Sequence, residues 1–192
     1  FLDEKNEHQT ITYKELFNIV NQLAFSLRKI GIKKKDRVVG FLPNIPETII
    51  AMLATTSVGA IWSSCSPDFG VNGVLDRFKQ IKPKLLFCSD SYQYNGKQID
   101  CLEKVKLIAK NLPSIDKTII IPYFGNKHNL SINKSQSWND FLLSSDKEKE
   151  LIFESLSFDH PLFIMYSSGT TGKPKSIVHS VGGTLIQHLK EL

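Results

Sequence analysis

Residues 37–63 read RVVGFLPNIPETIIAMLATTSVGAIWS. Arg37-Val38-Val39-Gly40-Phe41-Leu42 is a short apolar run, read as a buried strand. Pro46 falls where the first turn of a helix would begin, a place where its missing N–H costs little. From there to about Val58 the chain is apolar nearly all round, which marks a buried helix. Ala60-Ile61-Trp62-Ser63 then reads as a second strand. Strands that are apolar throughout, joined by a helix, belong to a parallel sheet with both faces covered.

The same rhythm extends outward. Upstream, Thr12-Tyr13-Lys14-Glu15 has the spacing of a capping box. Leu16, Ile19, Val20, Leu23 and Leu27 follow at helical spacing, and Gly31 offers a left-handed end to that helix. Downstream, 71–81 predicts a helix with Val74, Leu75 and Phe78 inward. Residues 85–88 predict a strand, 99–112 a helix and 118–121 a strand. Pro161 to Tyr166 and Ser176 to His179 complete the strands, and Ser180 can cap the helix after Gly183. The expected fold class is α/β, with mainly parallel sheets covered by helices.

Residues 124–150 interrupt the alternation. GNKHNLSINKSQS is polar and turn-rich, and SSDKEKE is charged, with a short helix possible at Trp138–Leu143. Three regions are therefore expected: 1–123 as a first sheet region, 124–150 as a polar surface excursion, and 151–192 as the start of a second region.

Composition narrows the function classes. The chain has 192 residues and a net charge of +5. Its basic residues are scattered, and the one tight run, Lys33-Lys34-Lys35, follows the helix-ending Gly31 as a solvated turn would. Nucleic acid is not an expected partner, because only net charge favours it. Cys65, Cys88 and Cys101 are odd in number and lack metal-ligand spacing, so ordinary thiols in a reducing, cytoplasmic setting are expected. No apolar run is long enough for a membrane span. The sequons at Asn129 and Asn133 matter only in a secreted protein. The chain starts at Phe1 and stops at Leu192 inside a helical pattern, so a piece of a longer protein is expected.

The stretch that promises chemistry is YSSGTTGKPK, residues 166–175. Gly169 and Gly172 let backbone N–H groups converge without a Cβ in the way. Ser167, Ser168, Thr170 and Thr171 supply hydroxyl donors, and Lys173 and Lys175 supply positive charge. A phosphate-holding loop and an ordinary polar turn are both compatible with this composition. A Walker A loop is not, because it needs glycine at 167 and Ser or Thr at 174, where this chain has Ser167 and Pro174.

From Ser167 to Lys175 the stretch resembles the signature loop of the adenylate-forming acyl-CoA synthetases, Ser/Thr-Ser-Gly-Ser/Thr-Thr-Gly-x-Pro-Lys-Gly. Ser176 departs from the final glycine of that pattern. WSSCSPDFG (62–70), DRFKQIKPKLLF (76–87), YNGK (94–97) and VHSVGGTLIQHLKEL (178–192) resemble the acetoacetate-activating branch. Acetate- and propionate-activating enzymes, or a truncated non-catalytic nucleotide-binding module, are the alternatives.

The resemblance implies that the parent protein joins a carboxylate to coenzyme A through an acyl-adenylate. ATP, Mg2+, coenzyme A and acetoacetate are the implied cofactors and small-molecule partners, and the remainder of the same chain completes one AMP-binding domain. Ser167, Ser168, Gly169, Thr170, Thr171, Gly172, Lys173 and Lys175 are implied to grip the ATP phosphates. Lys175 stands at the Pro-Lys position of the pattern, whereas Lys173 falls where it is open and is equally a solvated lysine. Related acetyl-CoA synthetases carry Arg-x-Gly-Arg where this chain has Tyr94-Asn95-Gly96-Lys97, which leaves Lys97 as a candidate for the 3′-phosphate of coenzyme A. No catalytic residue and no protein metal site are expected within 1–192, so this stretch alone is not expected to be active. Trp62 and Phe69 read as core aromatics or as cleft walls, and His179 as a packed strand residue.

Overall fold

The computed structural model describes residues 8–124, 132–143, 151–167 and 172–191. The elements in chain order are α1 (Tyr13–Lys29), β1 (Arg37–Phe41), α2 (Pro46–Ser57), β2 (Ile61–Cys65), α3 (Val71–Ile81) and β3 (Leu85–Ser89). There follow β4 (Ser91–Tyr94), β5 (Lys97–Asp100), α4 (Leu102–Lys110), β6 (Lys117–Ile121), β7 (Ser135–Ser137) and α5 (Trp138–Leu143). The last described elements are β8 (Pro161–Ser167), β9 (Lys175–Ser180) and α6 (Val181–Glu191).

A seven-stranded sheet runs in the order β7-β6-β3-β1-β2-β8-β9. Every neighbouring pair in it is parallel except β8 with β9. The central strands alternate between two apolar layers, as the two-residue period of a strand requires. Val38, Leu85, Phe87, Ile119 and Ile121 face the layer built from α1, α2 and α5. Val39, Phe41, Leu86, Cys88 and Ile120 face the layer built from α3 and α4. Helices thus cover both faces, and each fully buried large side chain contributes about 1.5–3 kcal/mol. Phe87 is the hub of the first layer, with Trp138, Trp62 and Phe141 at centroid distances of 5.8, 6.4 and 6.5 Å.

Local signals act where expected. Thr12 caps α1 through a complete capping box, its hydroxyl accepting from the Glu15 N–H at 3.2 Å. Pro46 opens α2. Lys33, Lys34 and Lys35 are exposed in a turn closed by Asp36, whose carboxylate accepts from the Lys33 N–H and pairs with Lys84 at 2.9 Å. Arg37 secures the C-terminal end of α3, its guanidinium donating to the carbonyls of Ile81 and Lys82 at 2.6 and 2.9 Å.

Two expectations are corrected. The helix expected over 99–112 spans only Leu102–Lys110, and the preceding residues form an antiparallel hairpin of β4 with β5. Asn95 and Gly96 turn that hairpin with φ of 49° and 72°, the type I′ pattern that matches strand twist. The polar segment is not a surface excursion over 132–143. There β7 adds to the sheet edge beside β6, and α5 drives Trp138 and Phe141 into the core. The Ser26 hydroxyl donates to the Phe141 carbonyl at 2.8 Å and fixes α5 against α1. Strands from 1–123 and from 151–192 share one sheet, because β8 pairs with β2.

Candidate functional site

β8 and β9 form an antiparallel hairpin whose last pair is Ser167 with Lys175. The two ends of the hydroxyl-rich stretch are therefore cross-strand neighbours. The connection lies at the carboxyl end of β8, a strand parallel to β2, and carboxyl ends are where open parallel sheets place ligands. Gly172 has φ of +98°, a left-handed conformation that disfavours any side chain, and so fits the turn into Lys173 and Pro174. Lys173 and Lys175 are exposed. Ser168, Gly169, Thr170 and Thr171 lie outside the described residues.

Helix α3 supports this hairpin from beside it. The Tyr166 hydroxyl donates to the Arg77 carbonyl at 2.9 Å. The Gln80 amide donates to the Pro174 carbonyl at 2.9 Å and to the Asp76 carbonyl at 2.7 Å. The Arg77 guanidinium donates to the Gly73 carbonyl at 2.7 Å and lies 4.4 Å from the Phe69 ring centre, a cation–π distance. It is 5.9 Å from the ring of Tyr166. Burial pushes the Tyr166 phenol up to about 12, so it remains a donor at neutral pH.

Beside the hairpin opens a cavity of about 420 Å³, walled by Trp62, Cys65, Phe69, Arg77, Phe163 and Tyr166 among others. Trp62 is both core and wall: it is 5% exposed yet reaches the cavity. Phe69 is 38% exposed and serves as the platform for Arg77. The Ser63 hydroxyl donates to the Ile164 carbonyl at 2.6 Å and links β2 to β8.

The other singled-out residues stand apart. Lys97 is exposed on β5, opposite Tyr94, in a separate two-stranded sheet. His179 lies on β9 as expected but is exposed, not packed. Ser180 does cap α6, accepting from the Gly183 N–H at 3.1 Å, although the helix begins at Val181. Cys65, Cys88 and Cys101 are free and buried, and burial raises all three thiols, Cys65 to about 12 and Cys101 to about 11. Among the described residues no group of His, Cys, Asp or Glu could hold a metal, and no helix is long and apolar enough to cross a membrane. Sequence reasoning assigned no role to Arg77 or Gln80. Their spacing of three on one helix face was the available signal, but their partners lie 89 and 94 residues away.

A family profile described as "AMP-binding enzyme" matches residues 1–191. The chain belongs to that family. Similar proteins include "Acetoacetyl-CoA synthetase" of Macaca fascicularis, 53% identical over 192 residues, which covers 97% of this chain and 29% of the relative. "Acetoacetyl-coenzyme A synthetase" of Rhizobium meliloti (strain 1021) is 51% identical over 193 residues, covering 100% of this chain and 29% of the relative. A solved structure titled "Acetoacetyl-CoA Synthetase from Streptomyces lividans" superposes with a TM-score of 0.92 at 43% identity, covering 99% of this chain and 28% of that one. This AMP-binding chain therefore spans less than a third of the length of these relatives. Its fold, a mostly parallel sheet between helices, is that of the solved structure over the matched part.

Proposed function

We propose that the parent protein activates acetoacetate with ATP and transfers it to coenzyme A. A carboxylate oxygen attacks the α-phosphorus, pyrophosphate leaves, and acetoacetyl-AMP forms. The thiol sulfur of coenzyme A then attacks the acyl carbon and AMP departs. The observation that carries this reading is the 53% identity to an acetoacetyl-CoA synthetase across nearly the whole chain.

Within that reaction, Ser167, Ser168, Gly169, Thr170, Thr171, Gly172, Lys173 and Lys175 grip the β- and γ-phosphates. The exposed lysines and the left-handed Gly172 at the hairpin suit an anionic ligand. Charge develops on the departing pyrophosphate, and one donor aimed at such charge is worth about 2.7–4 kcal/mol in the barrier. Mg2+ fits as an ion carried on the phosphates, since it usually keeps its waters and few protein ligands. Lys97 is assigned the 3′-phosphate of coenzyme A. A cytosolic setting belongs to the same proposal and is supported by three free thiols. Residues 1–192 are one part of an AMP-binding domain and by themselves hold a phosphate tail without completing the reaction.

The test is ATP–pyrophosphate exchange by the full-length protein. Exchange that requires acetoacetate is expected. Exchange that runs with acetate or propionate and not with acetoacetate overturns the assignment. Turnover by isolated 1–192 overturns the claim that this part cannot act alone.

A further inference from the structure

We propose that Gln80, together with the Arg77 carbonyl, makes α3 a two-point clamp that sets the positions of Ser167 and Lys175. The proposal rests on the reading of this hairpin as the phosphate grip and assigns its positioning residues. The Tyr166 hydroxyl reaches the Arg77 carbonyl at 2.9 Å, and the Gln80 amide reaches the Pro174 carbonyl at 2.9 Å. Tyr166 immediately precedes Ser167, and Pro174 immediately precedes Lys175. Each tether is thus one residue away from a phosphate-contacting position, one on either strand of the hairpin.

The clamp has a rigid base. Val74, Leu75 and Phe78 bury the opposite face of α3, and Arg37 holds its C-terminal carbonyls. The Gln80 amide has both hydrogens committed, one to its own helix at Asp76 and one to Pro174. That internal bond fixes the rotamer, so little entropy is lost in reaching the loop. Burial cannot be the purpose of Gln80, because it is exposed. An exposed side chain with two committed bonds to carbonyls, one of them across the site, acts as a tether. Placement errors of about 1 Å at a reacting group can cost about 100-fold in rate, which is the penalty such a tether averts.

The experiment uses the full-length protein and exchange kinetics. Gln80→Met keeps size and removes the donor, whereas Gln80→Lys keeps a donor. Gln80→Met is expected to raise KM for ATP roughly fivefold, the scale of one net hydrogen bond. KM for the carboxylic acid and the unfolding midpoint stay unchanged, and Gln80→Lys restores most of the loss. Adding Tyr166→Phe to Gln80→Met is expected to raise KM for ATP further. Lys175→Ala run in parallel separates the two claims. A normal KM for ATP in Gln80→Met, with a raised one in Lys175→Ala, overturns the clamp and leaves the phosphate grip standing. Normal ATP kinetics in both overturn the grip itself and the clamp with it. A lowered unfolding midpoint with equal loss toward ATP and acid also overturns the clamp, because it shows a role in stability only.

Discussion

The indole of Trp62 lies directly over Gly40, so that a Cβ built on Gly40 would stand 2.8 Å from Trp62 Cη2 and 2.9 Å from Cζ2. The glycine is there because the neighbouring strand sends a ring across it. Trp62 cannot swing clear, being 5% exposed and packed on Phe87. Gly40→Ala is expected to destabilise the full-length protein by about 1–3 kcal/mol through overpacking. Gly73→Ala is the contrast, since its Cβ would meet nothing closer than 3.4 Å. Inside a helix that change is expected to stabilise by about 0.5–1 kcal/mol. Denaturant unfolding of both variants, followed by tryptophan fluorescence, checks the pair.

The two lysines of the hairpin should differ. Lys175 is set opposite Ser167 by strand pairing, whereas Lys173 stands in the turn before Pro174. Lys175→Ala is expected to lower pyrophosphate exchange by about 100- to 1,000-fold, the cost of one donor to developing charge. Lys173→Ala is expected to cost less than tenfold, as for a screened surface charge. Equal losses would show that Lys173 grips the phosphates as closely as Lys175.

Buried thiols give a pH signature. The ordinary thiol value of 9.0 is raised to about 12 for Cys65 and about 11 for Cys101, with desolvation the main cause in each, and Cys88 is raised as well. A folded value above the unfolded one means that the folded state holds the proton longer. The stability tied to these groups is therefore complete below about pH 9 and is lost as pH rises through 11 and 12. Alkaline unfolding is expected to begin above pH 9 at 25 °C. A thiol-specific reagent at pH 8 should find these three cysteines unreactive in the native full-length protein and reactive after denaturation.

Lys97 offers a separable test of coenzyme A recognition. It stands on β5, away from the sheet that bears the β8–β9 hairpin. Lys97→Ala is expected to raise KM for coenzyme A about threefold, the scale of a partly screened ion pair. Pyrophosphate exchange, which precedes coenzyme A, should be unaffected. Dephospho-coenzyme A, lacking the 3′-phosphate, should show no difference between the two proteins.

How legible these features are in the sequence depends on the range of the interactions behind them. The capping box of Thr12 and Glu15 closes within one turn, and both partners are visible side by side. The apolar runs of β1, β3 and β6 announce central parallel strands because both faces are buried. β7 is invisible for the converse reason: Ser135-Gln136-Ser137 is an edge strand whose half-exposed positions tolerate polar residues. Trp138 and Phe141 read as a short loop helix until Phe87, more than fifty positions earlier, supplies the aromatic site they fill. Asn95-Gly96 is itself a hairpin signal, and the helical spacing over 99–112 conceals only the end of the second strand that it joins. Gln80 and Pro174 illustrate the remaining limit, since a bond across 94 residues leaves no local pattern.

The turn from β8 into an antiparallel strand bears on how the proposed grip would hold a leaving group. In loops that open directly into a helix, the helix N-terminus adds about half a positive charge, fixed in place by the backbone. Here the chain that leaves the loop is β9, and the next helix starts only at Val181. On the proposed reading, the hairpin attracts a polyphosphate through hydroxyls, backbone N–H groups and ammonium groups on flexible stems, helped by whatever ion accompanies the nucleotide. Such a grip is expected to weaken as salt rises. If the hairpin is the phosphate grip proposed above, release of the severed pyrophosphate is expected to quicken as ionic strength rises.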